Sequence, residues 1–307
     1  MPLAPQAAPS AVPAPDFSGL WIPLVTPFKQ GAIDHNAITR LTQHYIGCGI
    51  AGLVVCGTTG EAAALDDNEQ LAVLKTVRAA APKLPLVMGL WGYHLGHTLV
   101  RLKTFNTLDL AGVLLPAPSY IRPSQAGLID WFTQLADAST LPVIVYDIPY
   151  RTGATLTPDT LLTLALHPRI VAVKDCGGDP AKTTALIADG RLQVLCGEDA
   201  NIFSTLAQGG HGVIAAAAHV QTKRFVEVMR LIGAGDIAEA ERLWVPLLDL
   251  INALFSEPNP GPVKSLMASF GWIQDELRSP MTRASPELNA RLRNLDEALD
   301  RGWQPKR

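Results

Sequence analysis

The chain has 307 residues, of which 48% are hydrophobic and 17% are charged, and its formal net charge is −3 at pH 7. This composition supplies enough apolar material for a large folded core and excludes a disordered chain. A charge near neutrality, without a run of lysine or arginine, argues against binding to nucleic acid or to a membrane surface. We therefore expect a small-molecule partner.

The first 16 residues, MPLAPQAAPSAVPAPD, predict a disordered extension because they are rich in alanine and proline. They contain no basic segment followed by an apolar stretch, so they predict neither a signal peptide nor a membrane span. The four cysteines, Cys48, Cys56, Cys176 and Cys196, form no CxxC pair. We therefore expect reduced thiols in a cytoplasmic protein, without a disulfide framework or a zinc site.

From residue 17 onward, apolar runs of strand length alternate with segments of helical periodicity. Eight such runs begin at residues 20, 52, 84, 112, 141, 169, 192 and 212. Between them lie segments such as NEQLAVLKTVRAAA, in which apolar residues recur at spacings of three and four. Strands that alternate with helices predict parallel pairing, and eight such units can close into a (β/α)8 barrel, the TIM barrel of the α/β class.

A doubly wound open sheet is the alternative architecture. Such a sheet usually carries a glycine-rich GxGxxG turn after its first strand, and the segment VTPFKQGAID lacks it. We therefore predict a barrel over residues 17–222, where the chemistry would lie at the carboxyl ends of the strands. Residues 223–307 show only helical patterns and predict a C-terminal helical appendage.

The segment RIVAVKDCGG, residues 169–178, places a lysine directly after the apolar run of a buried strand. With alternating side chains, Ala172 and Lys174 share one strand face while Val171 and Val173 take the other, so Lys174 points into the barrel. Burial lowers the pKa of a lysine, and a neutral amine can condense with a ketone to form a Schiff base. The alternative interpretation is a structural lysine that pairs with Asp175 or reaches toward solvent.

A Schiff-base enzyme also needs a proton relay and a binding site for the substrate carboxylate. Tyr146 ends the predicted strand next to that of Lys174, and its phenol could exchange protons with a hydroxyl such as that of Thr58. The GTTG turn, residues 57–60, could present the amides and hydroxyls of Thr58 and Thr59 to an anion. Separately, each feature also fits an ordinary strand–helix turn or an amphipathic core tyrosine.

Four segments in this order, GTTGE, YIRPSQAGL, YDIPYRTG and VKDCGG, resemble the dihydrodipicolinate synthase and N-acetylneuraminate lyase superfamily. The resemblance runs from about Gly19 to Trp272 and includes the segments GGHGVI and EPNPGPVK. It implies that Lys174 forms an imine with pyruvate and that Tyr146 acts as general acid and base. Thr58 would link Tyr146 to Tyr120, which the neighbouring subunit of a tight dimer contributes.

The same resemblance implies a set of substrate-binding residues. Thr58 and Thr59 would hold the pyruvate carboxylate, and Gly197 and Ile214 would also bind substrate. Arg151 would bind the carboxylate of a second substrate, the small aldehyde aspartate semialdehyde. The enzyme would belong to lysine biosynthesis, need no cofactor or metal, and assemble as a dimer or a dimer of dimers.

Two departures from the pattern of the family leave other functions open. Asp147 stands where the family usually has asparagine, and the loop GLWGYHLGH, residues 89–97, replaces a run of small residues, so that Trp91 would crowd the barrel mouth. The altered loop favours an aldolase or dehydratase of 2-keto-3-deoxy sugar acids, whereas Arg151 and Tyr120 oppose it. A non-catalytic 2-oxo acid binding protein is a further alternative, opposed by the intact relay of Tyr146 and Thr58.

Overall fold

The computed structural model describes residues 15–302, so most of the predicted extension over residues 1–16 lies outside the described residues. Eight parallel strands close into one barrel, in which each strand pairs with its neighbours in the chain and the last pairs with the first. The barrel strands are β1 Gly19–Pro23, β2 Gly52–Val55, β3 Leu86–Gly89, β4 Gly112–Pro116, β5 Val143–Asp147, β6 Ile170–Asp175, β7 Gln193–Cys196 and β8 Gly212–Ile214. The predicted TIM barrel is confirmed.

Helices separate the strands and continue after the last one. They are α1 His35–Ile46, α2 Asp67–Ala80, α3 Leu95–Phe105, α4 Gln125–Asp137, α5 Pro149–Thr152, α6 Pro158–Leu164, α7 Pro180–Asp189, α8 Ile202–Ala207, α9 Thr222–Gly233, α10 Ile237–Leu254, α11 Gly261–Ser269 and α12 Pro286–Gly302. A hairpin of two short strands, Phe28–Lys29 and Ala32–Ile33, follows β1. Among the described residues, no helix is long and apolar enough to cross a membrane.

Local sequence accounts for where several helices begin. Asp66 caps α2 in a capping box with Glu69, and the side chains of Ser124 and Asp179 accept backbone hydrogen bonds at the first turns of α4 and α7. These short polar residues satisfy amide groups that the first helical turn leaves without partners. Each cap sets the residue at which its helix begins and therefore the residue at which the preceding loop at the barrel mouth ends.

Helix α9 follows β8 and contacts both β1 and the following helix α10. The helical region after residue 222 is therefore continuous in space with the barrel. The division of the chain at residues 16 and 222 stays a prediction.

Two apolar cores hold the barrel together. One lies between the strands and the surrounding helices, and the other fills the barrel interior with residues such as Val54, Leu114 and Ile144. Phe17 and Trp21 belong to the interior core, with ring centroids 5.4 Å apart, and Phe17 contacts the starts of β4 and β8. The amino-terminal end of the barrel is thus filled by side chains.

A bulge changes one detail of the predicted strand β6. Val143 pairs with Ile170 and Ile144 pairs with Ala172, so Val171 is an extra residue between two ladder positions. Val173 lies in the outer core as predicted, but Val171 packs against the interior core, and the expectation that the two valines share a face is wrong. Strict alternation fails at a bulge because the inserted residue shifts the facing of the strand by one position.

Candidate active site

A cavity of about 370 Å³ opens at the carboxyl ends of the barrel strands. Its lining comes from the ends of β2 to β5 and from the helical region near the C-terminus. Of the predicted site residues, Thr58, Tyr146 and Arg151 line this cavity. The location agrees with the rule that barrel enzymes carry their chemistry at this end.

Lys174 and Tyr146 face each other on neighbouring strands. Their backbones are paired in register between β5 and β6, and the Lys174 ammonium lies 4.2 Å from the centroid of the Tyr146 ring. Both side chains are 6% exposed. The sequence prediction that Lys174 points into the barrel is therefore correct. Tyr146 lines the cavity, and Lys174 lies beside the ring of Tyr146 without lining the cavity itself.

Burial dominates the electrostatics of this pair. Desolvation lowers the pKa of Lys174, the charge of Arg151 lowers it further, and Asp199 offsets part of the effect. Desolvation also raises the pKa of Tyr146, which is partly offset by a hydrogen bond with the Thr58 side chain and by Arg151. The arrangement favours a neutral amine beside a protonated phenol, which is the combination that imine formation requires.

Gly197 borders the lysine from the end of the neighbouring strand β7, and Ile214 lies one strand further, on β8. A side chain at Gly197 would meet the Lys174 Cε atom at 2.6 Å and the Cys176 sulfur at 2.5 Å, so only glycine leaves room for the lysine there. Ile214, at the end of β8, is 1% exposed and belongs to the interior core with Cys176. Ile214 therefore belongs to the apolar interior of the barrel, and Gly197 leaves the space that the lysine fills.

The GTTG turn follows β2 as predicted, but its two threonines have different surroundings. Thr58 lines the cavity and bonds to Tyr146. Thr59 is 4% exposed, and its hydroxyl oxygen accepts a hydrogen bond from the Asn259 amide over 3.0 Å. The Thr59 side chain therefore anchors the turn to the C-terminal region.

The structure does not bring Tyr120 into the site of its own chain. Its side chain is 91% exposed and its φ is +77°, a conformation that non-glycine residues rarely adopt. The backbone amide of Tyr120 donates to the Thr152 carbonyl over 3.2 Å, which ties this loop to α5, where Arg151 lies. Tyr120 and Arg151 thus belong to adjoining loops at the barrel mouth.

Asp147, the first departure from the family pattern, has a partner. Its carboxylate forms an ion pair with the Lys182 ammonium of α7, and the two side chains are 0% and 2% exposed. A side chain at Gly177 would meet both groups, with the Lys182 nitrogen at 2.2 Å and the Asp147 oxygen at 2.7 Å. The aspartate is therefore compatible with a buried position because a lysine on α7 neutralises it.

The second departure, the loop of residues 89–97, reaches the cavity. Trp91 contributes to its lining, as the sequence predicts, and the Trp91 carbonyl accepts a hydrogen bond of 2.9 Å from Arg101. The His94 ring accepts a hydrogen bond from the His97 amide and caps α3. These hydrogen bonds hold the loop in place, with the indole of Trp91 at the mouth of the barrel.

Several cavity residues were not predicted from the sequence. Four of them belong to the helical region near the C-terminus: Asn259, Pro260, Pro280 and Met281. Glu61, the last residue of GTTGE, also lines the cavity. The segments GTTGE and EPNPGPVK contain signals for Glu61, Asn259 and Pro260, whereas no motif marks Pro280 or Met281.

The profile of the Dihydrodipicolinate synthetase family matches residues 16–298. This chain belongs to that family. It is 37% identical over 280 residues to 4-hydroxy-tetrahydrodipicolinate synthase 2 of Clostridium acetobutylicum, covering 90% of this chain and 98% of the relative. It is 36% identical over 272 residues to the 4-hydroxy-tetrahydrodipicolinate synthase of Thermodesulfovibrio yellowstonii, covering 88% of this chain and 94% of the relative.

Solved structures give the same family. The dihydrodipicolinate synthase of Acinetobacter baumannii, complexed with pyruvate, superposes with a TM-score of 0.89 at 32% identity, covering 92% of this chain and 99% of that one. The enzyme of Thermotoga maritima gives a TM-score of 0.90 at 30% identity, with the same coverage of 92% and 99%. The predicted family, fold and enzyme class are confirmed.

Proposed function

We propose that this enzyme joins pyruvate to aspartate semialdehyde through an imine on Lys174, which is the reaction of a 4-hydroxy-tetrahydrodipicolinate synthase. One observation carries the proposal: a buried lysine with a lowered pKa lies 4.2 Å from the ring of a buried tyrosine beneath an open cavity. The names of the relatives, at 36% and 37% identity over most of both chains, support the choice of reaction.

The first half of the reaction uses the lysine and the tyrosine. The neutral amine of Lys174 attacks the keto carbon of pyruvate, and the resulting hydroxyl leaves as water with a proton from Tyr146. Loss of a proton from the methyl carbon then gives an enamine. The hydrogen bond between Tyr146 and Thr58 provides the route by which the phenol exchanges its proton.

The second half forms the new carbon–carbon bond. The enamine carbon attacks the aldehyde carbon of the semialdehyde, and the new alkoxide takes up a proton. The amino group of the semialdehyde then attacks the imine carbon, which closes a ring and releases Lys174 as the amine. Arg151 lines the cavity, and its guanidinium is suited to bind the semialdehyde carboxylate with two hydrogen bonds.

We also propose that two copies of the chain form a dimer in which Tyr120 of each enters the site of the other. The 91% exposure and left-handed backbone of Tyr120 support this, since strain of that kind concentrates at functional positions. The neighbouring Ile121 is 53% exposed, which adds apolar area to the same surface.

The predicted cytoplasmic location is supported by four free, buried cysteines.

Substitution of Arg151 tests the choice of second substrate. If Arg151 binds the semialdehyde carboxylate, Arg151→Ala removes a charge-assisted contact of about 1.5 to 3 kcal/mol and lowers kcat/KM for that substrate by about 10 to 150-fold. Trapping of the pyruvate imine by borohydride should persist in this variant. Arg242→Ala, on the exposed face of α10, is the matched control and should retain wild-type kinetics.

The loop with Trp91 favours a second candidate, an aldolase or dehydratase of 2-keto-3-deoxy sugar acids. A panel of such acids, assayed beside pyruvate with aspartate semialdehyde, separates the two. Turnover of a sugar acid without turnover of the semialdehyde would replace the synthase assignment. A protein that binds pyruvate but gives neither imine nor turnover would be a binding protein.

A further inference from the structure

The cavity has a wall that does not come from the barrel. Residues 276–281, ELRSPM, cross the carboxyl end of the barrel between α11 and α12, and we refer to this segment as the strap. Pro280 and Met281 at its end line the cavity together with Trp91 and Arg151. The strap therefore contributes the apolar surface that an incoming aldehyde would meet.

Side chains of the strap fasten it to the hairpin and to α2. The Glu276 carboxylate accepts hydrogen bonds from the Gln30 and Gly31 amides at 2.8 and 2.6 Å. The Arg278 guanidinium binds both carboxylate oxygens of Glu69, each over 2.7 Å. This two-point contact fixes the direction of the arginine as well as its position, which a single ammonium could not do.

Arg278 makes four further contacts, two of them with the cavity-lining residues Ala64 and Glu61. Its guanidinium donates to the carbonyls of Ala64 and Gly31 over 2.8 and 3.0 Å and lies 4.6 Å from the centroid of the Phe28 ring. Its backbone amide donates to a carboxylate oxygen of Glu61 over 3.1 Å. Arg278 is thus the principal anchor of the strap.

Glu61 connects the strap to the threonine turn. One of its oxygens accepts from the Lys264 ammonium over 2.6 Å, and the other accepts from the Arg278 amide. Because Glu61 lines the cavity, the Lys264 ammonium neutralises a negative charge at the edge of a site that binds an anionic substrate, and the Arg278 amide adds a hydrogen bond. Release of the strap would remove one donor from Glu61 as well as the wall.

We propose that the strap determines which aldehyde the cavity accepts, with Met281 as a specificity-determining residue and Arg278 as the positioning residue that holds the wall in place. The inference rests on the proposed function for the identity of the aldehyde, a short anionic one. Lys174 lies on β6, away from the strap contacts, so formation of the pyruvate imine does not depend on the strap.

The experiment compares Arg278→Met, Arg278→Lys and Met281→Ala with the wild type. Arg278→Met should raise KM for aspartate semialdehyde about 10-fold, while the yield of borohydride-trapped pyruvate imine stays within about twofold. Arg278→Lys keeps the charge but loses the two-point contact with Glu69, so it should show most of the same increase in KM for aspartate semialdehyde. Met281→Ala should increase kcat/KM for a longer neutral aldehyde, D-arabinose, relative to the semialdehyde by about 10-fold.

Arg283→Met is the matched control, since this exposed arginine follows the strap and its side chain makes no hydrogen bond among the described residues. It should behave as the wild type. An unchanged KM in Arg278→Met together with an unchanged aldehyde preference in Met281→Ala overturns the proposal. Equal losses of imine yield and turnover in Arg278→Met also overturn it, because they indicate a purely structural role.

Failure of the proposed function gives a different result. A wild-type enzyme that forms the imine but does not use the semialdehyde contradicts the synthase assignment alone. The strap is then tested on the aldehyde that the wild type does use, with the same variants. If Arg278→Met does not fold, Met281→Ala decides, because its substitution removes no hydrogen bond.

Discussion

Lys174 and Lys264 are both buried beside the cavity, yet their surroundings differ. Their exposures are 6% and 0%, and burial lowers the pKa of each. Lys264 forms an ion pair of 2.6 Å with Glu61 and donates to the Thr26 carbonyl. Among the described residues, no carboxylate oxygen lies within 4.0 Å of the Lys174 ammonium. Burial alone therefore does not distinguish the candidate nucleophile from a structural lysine; the missing carboxylate does.

The largest effect is expected for Lys174→Met. Without the amine no imine can form, so turnover should fall by about 10⁴-fold or more, and no pyruvate adduct should appear in the intact mass after borohydride treatment. The thermal midpoint should stay the same or rise, because methionine removes a buried amine that has no carboxylate partner. An adduct that persists on another lysine would refute the imine assignment.

Lys264→Met should give the opposite pattern. It leaves Glu61 as a buried carboxylate without its ammonium partner, so the free energy of unfolding should fall by about 3 to 5 kcal/mol. Borohydride should still trap pyruvate on Lys174 in the folded fraction. The double variant Glu61→Gln with Lys264→Met should recover part of the lost stability, as measured by denaturant unfolding. If Lys264→Met abolishes the adduct in folded protein, the two lysines do not have separate roles.

Asp147→Asn removes the charged partner of another buried lysine, Lys182, and should have an intermediate effect on stability. The amide oxygen can still accept a hydrogen bond but carries no charge, so we expect a loss of about 1 to 3 kcal/mol, smaller than for Lys264→Met. Thermal unfolding of both variants under the same conditions provides the comparison. A loss larger than that of Lys264→Met would mean that the Asp147 charge does more than neutralise Lys182.

The smallest effect concerns pH. Imine formation needs the neutral amine, and the pKa of Lys174 is lowered from 10.5, so the rate of adduct formation should level off below pH 10.5. The Arg151 charge contributes to this lowering. Arg151→Ala should therefore move the midpoint of the profile to higher pH. Stopped-flow rates of imine formation across pH would measure it, and a midpoint that moves downward would contradict the sign.

The sequence predicted most of the fold and the position of Lys174 within it. Eight apolar runs and the spacing of the helices were sufficient for the barrel, and residue alternation placed Lys174 inside it. The bulge at Val171 escaped prediction because an inserted strand residue leaves no mark in an apolar run. The ends of the strands can be located in the sequence because charged or aromatic residues interrupt the apolar runs there.

The outer wall of the cavity was less predictable. Pro280 and Met281 lie in a segment without periodicity, and their approach to Trp91 depends on contacts between positions almost 200 residues apart. The partner of Asp147 was missed for a similar reason: Lys182 lies in an ordinary helical pattern, and only the barrel geometry brings α7 back to β5. The predicted roles of Thr59, Gly197 and Ile214 in substrate binding stay predictions.

The position of the strap in the chain has a consequence for biosynthesis of the protein. Thr58, Tyr146 and Lys174 leave the ribosome well before residues 276–281 do, and translation proceeds from the N-terminus. A nascent chain therefore carries all three of these residues before the last wall of its cavity exists. Chains truncated before the strap would lack Pro280 and Met281 from the cavity even if the eight strands had closed.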